Sequence, residues 1–370
     1  MPTVLVVGAG ISGSTLAERF ANHGYNVTVI ESRDHIAGNC YDYVNSQGIL
    51  MNKYGAHIFH TNSQRVWDYV TRFSSWSPWI HRIKGRIGNT YFPVPVNIDT
   101  VNILCGEHIQ NEEQMKEWLS KATIPTTTPA NSEEVALARV GPTLYNAIFK
   151  DYTYKQWALY PKELEPSVLE RIPVRTNHNA DYFSDTYQAL PTHGYTKFVQ
   201  AMLDHPNITV RLNTEYSHDM KQHYDYVMYT GPIDAYYKSH NYPKLSYRSI
   251  KFVIEELDVD SFQEDTVVNY PSNEVSFTRI VEYKHFLNQN VPGKTTIVTE
   301  YTTGEGDPYY PIPTKENVEI YKKYQELAQQ DEANGVYFIG RLANYKYYNM
   351  DAAIENALKF FDTFINAPPL

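Results

Sequence analysis

The first forty residues carry the strongest constraint on what this chain can fold into. A short apolar run at 3–7 (TVLVV) leads directly into Gly8, Gly10, Ile11, Ser12 and Gly13 of a GAGISG loop. Residues 14–23 then show helical spacing, with Leu16, Ala17 and Phe20 on one face and Gly24 at the end. A second β-branched run, 27–30 (VTVI), stops at Glu31. Strand, glycine loop, helix, strand and acid is the order of a dinucleotide-binding βαβ unit. Gly8 permits the turn out of the strand, Gly10 leaves room for a pyrophosphate at the backbone, and Gly13 lets the helix close on the sheet. The free N–H groups at the helix start, together with the positive end of its dipole, face the phosphates. Glu31, 18 residues after Gly13, is placed for ribose hydroxyls.

The residues just after the acid favour FAD over NAD. Residues 32–39 (SRDHIAGN) place Arg33, Gly38 and Asn39 in the Arg-x-x-x-Gly-Gly pattern of many FAD proteins, with Ala37 standing for the first glycine. The far end of the chain returns to the same architecture: a buried run at 336–339, then Gly340 and Arg341, then a tyrosine-rich stretch to Met350 and a helix from Asp351. That helix start is placed to stabilise negative charge on a reduced flavin. The sequence has no second GxGxxG and no CxxC, so a dedicated nicotinamide domain and a redox disulfide are not expected.

At 370 residues the chain is long for one core, and two or three domains are expected. A net charge of −10 argues against nucleic acid as a partner. It leaves room for an anionic substrate, because a local arginine cluster outweighs distant acidic surface. No apolar run is long enough to span a membrane, the first strand begins at residue 3, and Cys40 and Cys105 are not a spaced pair. A cytoplasmic protein with free thiols and no membrane partner is the expectation. The 32 tyrosines fit either core and strand positions or a polar aromatic cleft for a sugar or nucleotide.

Between the two ends, residues 41–50 read as a strand with a turn at Gly48, and Asn62 or Ser63 caps a helix to about Phe73. Residues 74–99 read as short strands with turns at Gly85 and Gly88. Residues 100–150 read as helical, with a capping box at Asn131 and Glu134 and a new helix opening at Gly141 and Pro142. The stretch 245–301, including 275–281 (VSFTRIV), alternates as an antiparallel sheet does. His57 and His60 lack the Cys or carboxylate neighbours that a metal site needs, so no metal is expected. Arg171 and Arg175 flank Pro173; they form either an anion clamp or a solvated basic turn.

Taken together, YGAHIFHT at 54–61, YTxxQW at 152–157, RIPVR at 171–175, DYF at 181–183, GYTK at 194–197, YTGPID at 229–234, FTRI at 277–280, PYYP at 308–311, and GRL at 340–342 with YKY at 345–347 resemble the UDP-galactopyranose mutase family along essentially the whole length. The resemblance implies an isomerase that contracts the galactopyranose ring of UDP-galactose to UDP-galactofuranose. It implies FAD, active when reduced, with N5 of the flavin as nucleophile and no net redox change. Arg171 and Arg279 would clamp the diphosphate, with Tyr182, Tyr310 and Tyr347 bonding the phosphates. Phe149, Tyr152 and Trp157 would line the uridine and loop side, and Asn269 would touch substrate. His57 and Ile58 would sit by the flavin, bordered by Arg341 and Met350. The implied architecture is α/β: a Rossmann-like FAD domain from 1–73, 194–244 and 334–370; a helical domain, 98–178, with a mobile substrate loop near 158–176; and an antiparallel β-sheet substrate domain from 74–97, 179–193 and 245–333.

An external reductant such as NAD(P)H and a homodimer are further expectations of the resemblance, as is a product destined for cell-surface polysaccharide. The chain departs from the family pattern at Ala158 (Gly), Phe277 (Tyr), Asn349 (Asp) and His81 (Asn). The alternatives are an FAD-dependent oxidoreductase of the amine-oxidase type, a mutase of a related UDP-sugar, and a flavin-binding protein without catalysis.

Overall fold

A computed structural model describes residues 1–240 and 242–366. Asn241 and 367–370, which belong to the stretches 194–244 and 334–370 expected in the nucleotide-binding part, lie outside the described residues. The opening run forms the strand Thr3–Val7 at the centre of a five-stranded parallel sheet. Asn26–Ile30 and then Ile208–Arg211 lie on one side of it, Tyr226–Tyr229 and then Val336–Phe338 on the other. The first helix starts at Ile11, three residues earlier than its apolar spacing indicates. Its approach to the strand depends on Gly13, where a Cβ would lie 2.0 Å from the Gly8 carbonyl oxygen. The C-terminal helix Met350–Asn366 packs against it through Phe20 and Phe361, edge to face at 5.0 Å.

The second layer is a seven-stranded sheet. Tyr310–Pro311, Tyr247–Leu257, Thr295–Thr303, Arg279–Glu282 and Val267–Asn269 pair antiparallel in that order. Ile83–Ile87 then joins Val267–Asn269 in parallel, and Thr90–Val94 closes the edge. The expected antiparallel sheet thus carries one parallel junction. Gly85 is not a turn: it sits inside the strand beneath the Phe92 ring, where a Cβ would meet the ring at 2.3 Å. Gly88 does make the turn. The alternating run 275–281 becomes strand only from Arg279, and the residues before it belong to a loop. A three-stranded sheet of Phe59–Thr61, Tyr187–Pro191 and Trp76–Pro78 stands beside these layers.

The helical part has its own core of Val101, Met115, Val135, Val140, Leu144, Ile148, Trp157 and Leu169. Asn131 caps the helix Ser132–Leu144 by accepting from the Glu134 amide at 3.0 Å, while the Glu134 carboxylate reaches back to the Ala130 amide at 2.8 Å. Gly141, at φ 77°, breaks that helix as its sequence suggests. A π turn, Tyr145–Phe149, leads into Lys150–Trp157. The helix capped by Ser63 spans Gln64–Val70, ending three residues earlier than Phe73.

Two alanines that replace glycines in the sequence patterns hold the backbone those glycines would hold: Ala37 has φ 71° and Ala158 has φ 56°. A Cβ in the left-handed region crowds the following carbonyl. Ala158→Gly is expected to stabilise the protein by about 1 kcal/mol, read as a higher urea midpoint. A midpoint at or below that of the parent contradicts this.

Candidate active site

The nucleotide sheet, the seven-stranded sheet and the helical part enclose one cavity of about 1550 Å³. Its walls include Gly8, Gly10, Ile11, Ser12, Glu31, Arg33, Gly38, Asn39, His57, Ile58, Arg341 and Met350, and also Phe149, Tyr152, Trp157, Arg171, Tyr182, Asn269, Arg279, Tyr310 and Tyr347. Two expected cofactor residues do not reach the wall. Gly13 lies under the Gly8 carbonyl, and Gly340, at φ 123°, packs its backbone against Ser12. Gly13 lets backbone approach closely, and Gly340 leaves room for the Ser12 side chain.

The dinucleotide end is built from backbone. A Cβ on Gly38 would stand 2.9 Å from the Gly10 Cα, so side chains at this crossing would fill the cradle. The Glu31 carboxylate accepts from the Ala9 amide at 3.0 Å and from the Arg33 amide at 3.0 Å, which fixes it at the strand end. Arg33 stacks over Tyr54 at 4.4 Å and bonds Asn39 at 3.0 Å. The helix start at Met350, with Asn349 and Ala353, opens on the same cavity. This geometry fits a dinucleotide: close backbone, an oriented acid and a helix N-terminus for phosphates.

The other end is cationic and aromatic. Arg279, at the start of its strand, donates from Nε to Glu300 Oε2 at 2.6 Å. Arg171 follows the short helix Ser167–Glu170 and lies over the Tyr347 ring at 4.3 Å. Arg341 covers the same ring at 4.5 Å and Tyr310 at 5.1 Å. Tyr310 and Tyr347 stack at 5.5 Å, and Trp157 meets Tyr310 edge-on at 6.2 Å. Nε and Nη2 of Arg341 and Oδ1 of Asn269 have no hydrogen-bond partner among the described residues. Three guanidiniums against one carboxylate leave this wall with an excess of positive charge.

Arg175 does not join it. Its Nη2 donates to the Asp181 carbonyl and its amide to the Val96 carbonyl, and it does not line the cavity. The clamp suggested by Arg171 and Arg175 is therefore not formed; Arg171 is matched instead with arginines more than a hundred residues away in sequence.

The titratable groups are tuned by burial and by this charge. Burial, with Arg341 and Arg279, lowers His57 to about 4. It is neutral at pH 7, and because Nδ1 lies 2.8 Å from the Gly55 carbonyl, Nδ1 carries the proton. His81 is lowered to about 3 by burial and Arg279. Burial raises Tyr152 and Tyr182 and pushes Tyr310 up to about 12, so these phenols stay protonated donors. Tyr347 is the exception. Burial alone would raise it, but Arg171, Arg341 and Arg279 hold it below the ordinary phenol range.

Several wall residues carry no signal in the sequence. Thr214, Glu215 and Tyr216 follow the edge strand Ile208–Arg211, and Glu300 faces Arg279 across paired strands. None sits in a motif with fixed spacing; the alternation of 295–301 is the only hint for Glu300.

The family model for UDP-galactopyranose mutase matches residues 147–347, which includes every arginine of the cationic wall, and a model for an NAD(P)-binding Rossmann-like domain matches residues 6–73. The chain belongs to the UDP-galactopyranose mutase family. It is 37% identical to a "probable UDP-galactopyranose mutase" of Klebsiella pneumoniae over 98% of this chain and 95% of that protein. It is 34% identical to a dTDP-fucopyranose mutase of Escherichia coli, over 99% of each. Its fold matches the crystal structure of a reduced UDP-galactopyranose mutase with a TM-score of 0.79 at 17% identity, covering 100% of this chain and 97% of that one.

The guanidinium pair around Tyr347 yields a titration prediction. In alkaline titration followed by phenolate absorbance, the difference between the parent and Tyr347→Phe should show one phenol ionising at lower pH than the bulk of the tyrosines. A difference curve centred with the bulk contradicts the geometry.

Proposed function

We propose that this chain is a flavin-dependent isomerase interconverting UDP-galactopyranose and UDP-galactofuranose. The observation that carries this reading is the excess positive charge at Arg171, Arg279 and Arg341 in the same cavity as the glycine cradle at Gly10 and Gly38. A diphosphate and a dinucleotide are thereby brought to one chamber. The glycine cradle at Gly10 and Gly38, Glu31 and the start of Met350–Asn366 would hold FAD, which when reduced would supply a nucleophilic nitrogen, N5, in a reaction with no net gain or loss of electrons.

The chain's own residues account for the rest. Arg171 and Arg279 hold the diphosphate and take up the charge that develops as UDP leaves. Tyr152, Tyr182 and Tyr310, kept protonated by burial, donate hydrogen bonds to it. His57, with its proton on Nδ1, offers Nε2 as an acceptor on the flavin side. The N-terminus of Met350–Asn366 adds a positive dipole end there. The loop near 158–176 carries Arg171 and closes the chamber on substrate. NAD(P)H is the expected reductant, and the working protein is a cytoplasmic homodimer.

Protein reduced with dithionite should interconvert the two UDP-sugars, with neither oxygen nor reductant consumed in proportion to product. Proportional oxygen uptake would assign it to the oxidoreductases instead. The relationship to a dTDP-fucopyranose mutase favours a second reading, in which the sugar nucleotide differs; His81 and Asn349, on the cavity wall, are the family departures that bear on it. Faster turnover of dTDP-fucose than of UDP-galactose would decide for that reading.

Charge-assisted hydrogen bonds contribute about 1.5–3 kcal/mol each. Arg171→Ala and Arg279→Ala should therefore each weaken UDP binding by about tenfold to a hundredfold. Arg→Lys at either position should lose much of the activity, since a planar fork is replaced by a point charge. Unchanged UDP affinity in both alanine variants refutes the phosphate assignment.

A further inference from the structure

Lys155 lies outside the cavity wall, yet its surroundings are unusual. Its Nζ donates to the backbone carbonyls of Tyr270, Ser272 (2.8 Å) and Phe277 (2.9 Å), with the Val275 carbonyl at 3.3 Å. An ammonium has three protons, so four carbonyls converge on it as they would on a bound monovalent cation. Among the described residues no carboxylate pairs with it. Burial pushes Lys155 down to about 8, with Asp151 acting against the shift, so the charged form prevails at neutral pH.

What the carbonyls belong to gives the contact its meaning. Residues 270–278 join the strand ending at Asn269 to the strand beginning at Arg279, and those two residues face each other across the ladder. The loop's own closure is the Tyr270 amide to the Thr278 carbonyl at 2.8 Å, with Tyr270 and Phe277 in edge contact at 4.7 Å. Lys155 itself belongs to Lys150–Trp157, the helix that brings Tyr152 and Trp157 to the cavity. One side chain therefore connects the helical wall of the substrate chamber to both ends of the loop that bears Asn269 and Arg279. A second tie runs from Arg248 Nε to the Gln156 carbonyl at 3.1 Å, but it reaches a different strand.

We propose that Lys155 is a positioning residue for the diphosphate site: its ammonium serves as a built-in cation around which residues 270–277 fold, fixing Asn269 and Arg279 opposite Tyr152 and Trp157. The consequence is specific. Removing the amine leaves four carbonyls with no donor, and the loop relaxes without loss of any group that touches substrate. A small ammonium ion supplied from solution would refill the place.

The inference rests on the reading of Arg279 as a diphosphate ligand. The test uses flavin-loaded Lys155→Ala, with UDP affinity measured against the parent. Binding about tenfold weaker is expected, as for loss of a charged hydrogen-bond donor. Methylammonium should restore that affinity saturably in the variant and leave the parent unchanged, whereas tetramethylammonium, which has no N–H, should not. Lys155→Arg should fail to substitute, because a planar guanidinium does not match four converging carbonyls. Lys155→Met keeps the apolar stem and serves as a second variant if the alanine form folds poorly. Parent-like UDP affinity in either variant overturns the proposal, as does weakened affinity that methylammonium does not restore. Arg279→Ala measured alongside separates the two readings. Full UDP affinity there removes Arg279 from the phosphate assignment, whereas weakened binding there with full affinity in Lys155→Ala sinks the positioning role alone.

Discussion

Guanidiniums gathered in one buried wall repel each other, and much of the architecture exists to hold them there. Arg171 and Arg341 lie against one tyrosine ring, 4.3 and 4.5 Å from its centre, and so are no more than about 9 Å apart; at an effective dielectric of ~20 two unit charges at that distance repel by about 2 kcal/mol. The protein answers with Glu300 beneath Arg279, with the π faces of Tyr310 and Tyr347, and with a phenol held toward its ionised form. Cation–π contacts contribute about 0.5–2 kcal/mol each, so these faces offset much of the repulsion without neutralising the wall. An excess of positive charge survives, and an anionic substrate is what completes it.

The tyrosine content serves both of the purposes its abundance suggests. Some tyrosines are core: Tyr283 and Tyr324 are among the largest fully buried side chains. Others, Tyr152, Tyr182, Tyr310 and Tyr347, line the cleft. Composition alone could not apportion them, because the ring that packs in a core and the ring that stacks under a guanidinium are the same group.

The nucleotide half was legible almost residue by residue. The GAGISG loop, Glu31 and the run at 336–339 obey local rules of backbone space and strand order, and such rules are written at short spacing. In the cationic wall, Arg171 and Arg279 were paired only through resemblance, which set Arg341 beside the flavin. Arg171, Arg279 and Arg341 come from a loop, a strand and a turn, and no local pattern says that they meet; of the two local readings of Arg171 and Arg175, an anion clamp or a basic turn, the clamp is not formed because Arg175 is drawn to the Asp181 carbonyl. Gly85 misled for a related reason. A glycine read as a turn was in fact making room for Phe92 across the strand pair. Ala37 and Ala158 show the converse, since a left-handed backbone persists there without the residue that usually signals it.

The order of strands in the parallel sheet has a consequence for the life of the chain. The central strand is made first, but one of its two immediate neighbours, Tyr226–Tyr229, comes more than two hundred residues later, and the sheet ends with Val336–Phe338. One of the helices that pack on the opening helix begins only at Met350. On the ribosome, then, the glycine loop emerges early and stands without the far side of its sheet until the strands Tyr226–Tyr229 and Val336–Phe338 have followed. The glycine cradle gains that side only when the strand Val336–Phe338 has followed, and loss of this strand removes a wall of the chamber whose first wall was laid down at residue 3.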